Sequence, residues 1–171
     1  MSQPFWHRLD QFARRLFPFA LTLALLLASL VPLPLPAYAS VSPSFMVMAV
    51  YFWTLHRPDL MPPVAVFAIG LLQDFLTGGV LGVSAIVLLV LSFATGSQRR
   101  FLGGALFVTV WAGFVVNAAA AAVLTWGLNT LAAGAMFDLR PALFQYLLTV
   151  GLYPSLGWLL VRAQRAVLRP A

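Results

Sequence analysis

The chain has 171 residues, 62% of them hydrophobic and only 8% charged, with a formal net charge of +6. Several apolar runs reach the roughly 15 to 25 residues needed to cross a bilayer, and no polar stretch exceeds a loop, which excludes a soluble domain of ordinary size. In a soluble protein the positive charge would point to nucleic acid; here it follows from membrane topology, and no nucleic-acid partner is expected.

The first 16 residues carry Phe5, Trp6, Leu9, Phe12, Ala13 and Leu16 at helical spacing, with Arg8, Gln11 and Arg15 elsewhere around the turn. This predicts a cytoplasmic amphipathic arm lying on the inner leaflet. A first span is predicted over 17–33. Arg14-Arg15, the apolar run after them and Ala37-Tyr38-Ala39 before Ser40 resemble a cleavable signal peptide, but the long charged region and the membrane character of the rest favour an uncleaved anchor. The alternating prolines of 31–36 remove backbone donors and favour extended chain, a stiff extracytoplasmic corner.

A second span is predicted over 43–55, with Pro43 in its first turn and Ser42 or Ser44 as cap. At about 20 Å it falls short of a hydrocarbon core of roughly 30 Å, so it must borrow flanking residues or lie where the bilayer thins. The third span, 62–76, starts at Pro62-Pro63 and ends at Gly78-Gly79; the fourth, 80–94, ends at Gly96. A fifth follows over 101–126 and a sixth over 141–161, separated by the longest outer loop, Leu128 to Arg140, the preferred site for a periplasmic partner. Small residues recur every fourth position: Val66, Gly70, Asp74 and Gly78 in the third span, Ala105, Thr109, Gly113, Asn117 and Ala121 in the fifth, Gly151 and Ser155 in the sixth. Such stripes let helices approach closely in lipid.

All ten basic residues are arginines. Six crossings place Arg8, Arg14, Arg15, Arg57, Arg99, Arg100, Arg162, Arg165 and Arg169 on one face and leave only Arg140 on the other, which makes both termini cytoplasmic. Five crossings, with residues 41–78 as an external hairpin, would strand Arg57 at membrane depth, so six are preferred. The expected fold is a single all-α polytopic membrane domain, a compact bundle of six transmembrane helices. Arg57, Arg99, Arg100 and Arg162 form a basic cytoplasmic face attracted to anionic membrane lipid.

One acid sits inside an apolar span. Asp74 must be hydrogen-bonded, paired or protonated there, and the donors in reach are Gln73, Thr77, Asn117 and the amides of the Gly78-Gly79 turn. Counted from their span starts, Asp74 lies about 18 Å and Asn117 about 24 Å from the same face, close enough to meet. The helix dipole disfavours a charge near its C-terminus, so Asp74 is expected to bond forward and organise the turn from Thr77 to Gly82; a polar anchor for a partner or ligand is the sharper reading. A catalytic or metal site finds no support, since the chain has four Asp, two His and no Glu, Lys or Cys, and neither His7 nor His56 shares a depth with Asp74. No cofactor is expected.

The stretch from Gly70 to Ala85, Gly-Leu-Leu-Gln-Asp-Phe-Leu-Thr-Gly-Gly-Val-Leu-Gly-Val-Ser-Ala, resembles the Gly-Leu-Leu-x-Asp-x-Leu-x-Gly-x-x-Leu-Gly segment of the MreD family of rod shape-determining membrane proteins. Arg57-Pro58-Asp59 before a proline-initiated span and the early proline corner are similar to that family too. Gly70, Asp74, Thr77, Gly78 and Gly82 of this segment, together with Asn117 from the stripe and depth arguments, are the structural or partner-binding candidates. The resemblance implies a non-catalytic inner-membrane scaffold of the cell-elongation machinery, maintaining rod shape by coupling MreC to lateral peptidoglycan synthesis, with MreB and the RodA/penicillin-binding synthase pair in the same complex. It also implies a fold similar to the substrate-binding subunits of energy-coupling-factor transporters. The same outline leaves open a vitamin-type transport subunit, for which the outer groups Tyr38, Asn129, Asp138 and Arg140 would supply polar contacts. A signal-bearing fragment of a larger protein is a third, weaker reading.

Overall fold

A computed structural model describes residues 18–29, 42–102 and 104–167. The amphipathic arm, the proline corner and Ala37-Tyr38-Ala39 lie outside the described residues. Within them the chain forms α1 (Pro18–Ser29), α2 (Phe45–His56), a 3-10 turn (Pro58–Leu60), α3 (Pro63–Thr77), α4 (Val83–Leu102), α5 (Phe107–Ala133) and α6 (Leu139–Val167), and the described residues contain no strand. Three helices, α4, α5 and α6 over Leu139–Gln164, are long and apolar enough to cross a membrane; α1, α2 and α3 are apolar but shorter.

One of the two shortest α-helices, α2, is the centre. Every residue of α2 from Met46 to Leu55 is buried, as expected for a helix that is apolar all round and has no polar face to show. Helices α4, α5 and α6 pack against it. Its buried Tyr51 ring lies edge-on to Phe114 of α5 and Tyr153 of α6, at 5.2 and 5.7 Å, while those two rings stack at 3.9 Å. The Tyr51 hydroxyl donates to the Val110 carbonyl (2.9 Å), so the phenol enters the core without an unpaired polar group. The shortness predicted for this span therefore has a different resolution from bilayer thinning: α2 is wrapped by protein.

Direction follows from the contacts. Ser44 N–H of α2 meets Thr149 Oγ1 of α6 (2.9 Å), and Thr54 of α2 lies 3.4 Å from Ser92 of α4. Helices α2, α4 and α6 thus run parallel, with α3 and α5 returning between them. The α5–α6 hairpin is pinned along its length by Trp126 Nε1 to Phe137 O (3.1 Å), Tyr146 OH to Val115 O (3.3 Å) and Trp111 Nε1 to Val150 O (3.3 Å). The last of these has a local cause. Pro154, inside α6, has no N–H for the carbonyl four residues earlier, and that carbonyl, Val150, is the one the Trp111 indole occupies.

Several expectations are corrected. Ser44 occupies the N-cap position of α2 without a side-chain capping bond; its amide is satisfied from α6 instead. Gly96 lies within α4, which continues to Leu102, and the left-handed glycine beyond it is Gly104 (φ 89°). Helix α5 starts at Phe107 and ends at Gly134 (φ 64°), so Ala105 precedes it and the connection to α6 is short where Leu128 to Arg140 was expected to be a loop. Membrane exit does not stop a helix; an αL glycine does. Thr109, Gly151 and Ser155 are exposed. In α6 the packed face is Thr149, Tyr153, Leu156 and Leu160, since aromatic and aliphatic groups are needed to fill the space beside α2.

Candidate functional site

Helices α3 and α4 form a tight antiparallel hairpin, and glycine is what allows it. A Cβ on Gly70 would stand 2.3 Å from the Ala85 Cα, a backbone atom that cannot move aside. Helix α3 begins at Pro63, where a missing N–H costs nothing, and ends at Gly78 in the left-handed region (φ 67°), whose amide, like that of Gly79, returns to the Asp74 carbonyl. The chain then turns through Gly82 (φ 95°) into α4.

Asp74 joins the two helices. Its Oδ2 accepts from the backbone N–H of Gly82 (2.8 Å) and Ser84 (3.1 Å), and Oδ1 stands 3.2 Å from the same Ser84 amide. The carboxylate is buried, 3% exposed. It sits at the C-terminal end of its own helix, where charge is disfavoured, but at the N-terminal end of α4, where unsatisfied amides and the dipole favour it. Bonds of this kind contribute about 1.5 to 3 kcal/mol each. Forward bonding is therefore present, though to Gly82 and Ser84 and not to the Gly78-Gly79 amides. Thr77 does not reach the carboxylate; its hydroxyl donates to the Gln73 carbonyl (2.8 Å).

Asp74 and Asn117 do not meet, contrary to the depth argument. Asn117 Nδ2 donates to Gln98 Oε1 (2.9 Å) and Gly113 O (2.8 Å). Ser84 and Gln98 lie on one helix, about 14 residues or roughly 21 Å apart, and each polar group holds one of its ends. The estimate failed because α5 starts at Phe107 instead of Phe101, which moves Asn117 toward the arginine end of the bundle. Gln98, Gly113 and Ser84 were missed as members of these polar contacts. Gly113 alone carried a signal, its place in the small-residue stripe, and a Cβ there would come within 2.9 Å of the Tyr51 hydroxyl.

Because α2, α4 and α6 are parallel, their C-terminal ends share one end of the bundle. Arg57 follows α2, Arg99 and Arg100 lie in the last turn of α4, and Arg162 lies near the end of α6 with its guanidinium 5.3 Å from the centre of the Trp158 ring. Arg99, Arg100 and Arg162 are exposed. His56, at the same end, bonds the Phe52 carbonyl through Nδ1 (3.0 Å) and stacks on the Phe52 ring, and no group of three potential metal ligands occurs among the described residues.

At the opposite end a cavity of about 560 Å³ opens between the start of α2 and the α5–α6 hairpin, with Val80 of the α3–α4 turn on its wall. Polar residues line it, among them Thr125, Asn129, Asp138, Gln145 and Thr149. Asn129 and Asp138 had been named as outer polar groups; Gln145 and Thr149 had not, although their four-residue spacing in an apolar helix puts them on one face.

A helical bundle rich in exposed apolar side chains, with three helices among the described residues long and apolar enough to cross a bilayer, defines the class as a helical membrane protein. The family model described as rod shape-determining protein MreD matches residues 11–161, and the chain belongs to that family; its role lies in rod shape determination. No curated protein and no solved structure matches the chain.

Proposed function

We propose that this chain is a non-catalytic inner-membrane scaffold of the elongation machinery, threading the bilayer six times with both termini in the cytoplasm and coupling MreC to lateral peptidoglycan synthesis. The observation that carries the reading beyond family membership is the fate of Asp74. An acid in an apolar span is a functional group by default, yet here it is occupied by two backbone amides of the next helix, which is the work of a frame and not of an active site.

The arginine end supports the orientation. Exposed guanidinium groups at one end of a bundle attract anionic lipid by about 1 kcal/mol each near the surface, and positive loops stay cytoplasmic. Cytoplasmic MreB and the RodA/penicillin-binding synthase pair belong to the same complex in this reading. A bundle wrapped around one buried helix, with a cavity at the outer end, is compatible with the substrate-binding-subunit fold that the resemblance implies. The transport function itself gains no support from the comparisons. Deletion in a rod-shaped host should give rounded cells, and tagged protein should bring MreC with it through purification. Unchanged rods together with failure to retain MreC would overturn the proposal.

A further inference from the structure

The cavity has a chemical bias that the scaffold reading does not use. Six of its donor groups bond protein oxygens: Asn129 Nδ2 on Thr125 O (2.9 Å), Gln145 Nε2 on Ser42 O (3.0 Å), Trp126 Nε1 on Phe137 O (3.1 Å), Tyr146 OH on Val115 O (3.3 Å), and the hydroxyls of Thr125 and Thr149 on carbonyls one turn back (2.8 and 2.6 Å); the Ser42 and Ser44 hydroxyls also line it. Because the amide nitrogens of Asn129 and Gln145 face carbonyls, their side-chain oxygens remain as acceptors. Asp138 adds a carboxylate at the wall, with Oδ1 on the Arg140 amide (3.1 Å) and its other oxygen free of partners among the described residues. Trp126, Phe137 and Tyr146 supply aromatic surface, and Val47, Ala118 and Ala121 an apolar floor.

We infer that this cavity binds an amine: a molecule with an ammonium head, held by Asp138, Asn129 and Gln145, and an apolar body lying against Trp126, Phe137 and Tyr146. An ammonium group only donates, and rings attract it. A neutral hydroxyl gains less than an ammonium from the Asp138 carboxylate and the ring faces, and an anion would face that carboxylate with no cation among the described residues of the wall. The volume lies within the range of small-molecule sites.

The test uses full-length protein in phosphatidylcholine nanodiscs and three probes with one body: 4-phenylbutylammonium, 4-phenylbutanol and 4-phenylbutyrate, followed by saturation-transfer NMR. Saturable transfer to the ammonium probe is expected, with little to the other two. Asp138→Asn, at an exposed position that keeps an acceptor for the Arg140 amide, should weaken binding about fivefold. Filling the cavity by Ala122→Phe should abolish it, with circular dichroism confirming the helices. Equal transfer to butyrate, or ammonium binding indifferent to both substitutions, overturns the inference. Loss on adding phosphatidylethanolamine would support the site and assign its amine to a lipid headgroup; undiminished binding would support it with a free amine as occupant. None of these readouts depends on cell shape, so failure here leaves the scaffold proposal standing, and the reverse holds.

Discussion

The Asp74 carboxylate answers to two amides, and its replacements separate hydrogen bonding from charge. Asparagine can place its oxygen where Oδ2 accepts from Gly82 and Ser84, so Asp74→Asn should lose about 1 kcal/mol, whereas Asp74→Leu leaves two half-buried donors unpaired and should lose about 2 to 4 kcal/mol. Thermal unfolding in detergent measures both. Equal loss of rod shape with both variants at normal protein levels would show that the charge itself is required. The sequence disclosed that this acid needed partners and that they lay forward in the chain. It could not disclose which amides, because five positions, 78–82, separate α3 from α4 and only the angle between the two helices selects among the amides there and at the start of α4.

At the level of helices, proximity is decided by whether a neighbour is backbone or side chain. Gly70 faces the Ala85 backbone, while a Cβ on Gly151 would meet nothing within 4 Å. Gly70→Ala should therefore spread the α3–α4 hairpin and lower the melting temperature or the yield, and Gly151→Ala should be neutral or slightly stabilising through helix propensity, by up to about 1 kcal/mol; parallel melting curves of the two variants check the contrast. Equal behaviour would mean that α3 and α4 do not touch at Gly70. Spacing alone had proposed both glycines for close packing. A four-residue repeat fixes a face of a helix but not which face is covered, and in α6 the covered face is the aromatic one carrying Tyr153. Helix starts at Pro63 and the stop at Gly78 were legible because proline and glycine act locally, whereas the true ends of α4 and α5 lie beyond their apolar runs, where hydropathy is silent about helix continuation.

Across the whole molecule the charge pattern and the helix directions agree on two unlike ends, one with Arg57, Arg99, Arg100 and Arg162 and one with the cavity. A chain without cysteine allows a direct check. A cysteine at Ser97, beside Arg99, should resist an impermeant thiol reagent in intact cells and react after lysis, and one at Ala133, at the exposed end of α5, should react in intact cells. The opposite pattern would invert the protein and place the amine-binding cavity in the cytoplasm.

Burial of α2 on every side has a consequence for biogenesis. A 12-residue helix measures about 18 Å, too little to hold its place in a hydrocarbon layer of roughly 30 Å, and α4, α5 and α6, which pack against it, are translated after it. The ribosome must deliver α6 before α2 has its final seat. Truncation even a few turns before Leu160 should accordingly leave the earliest helices unanchored and open to quality-control proteolysis.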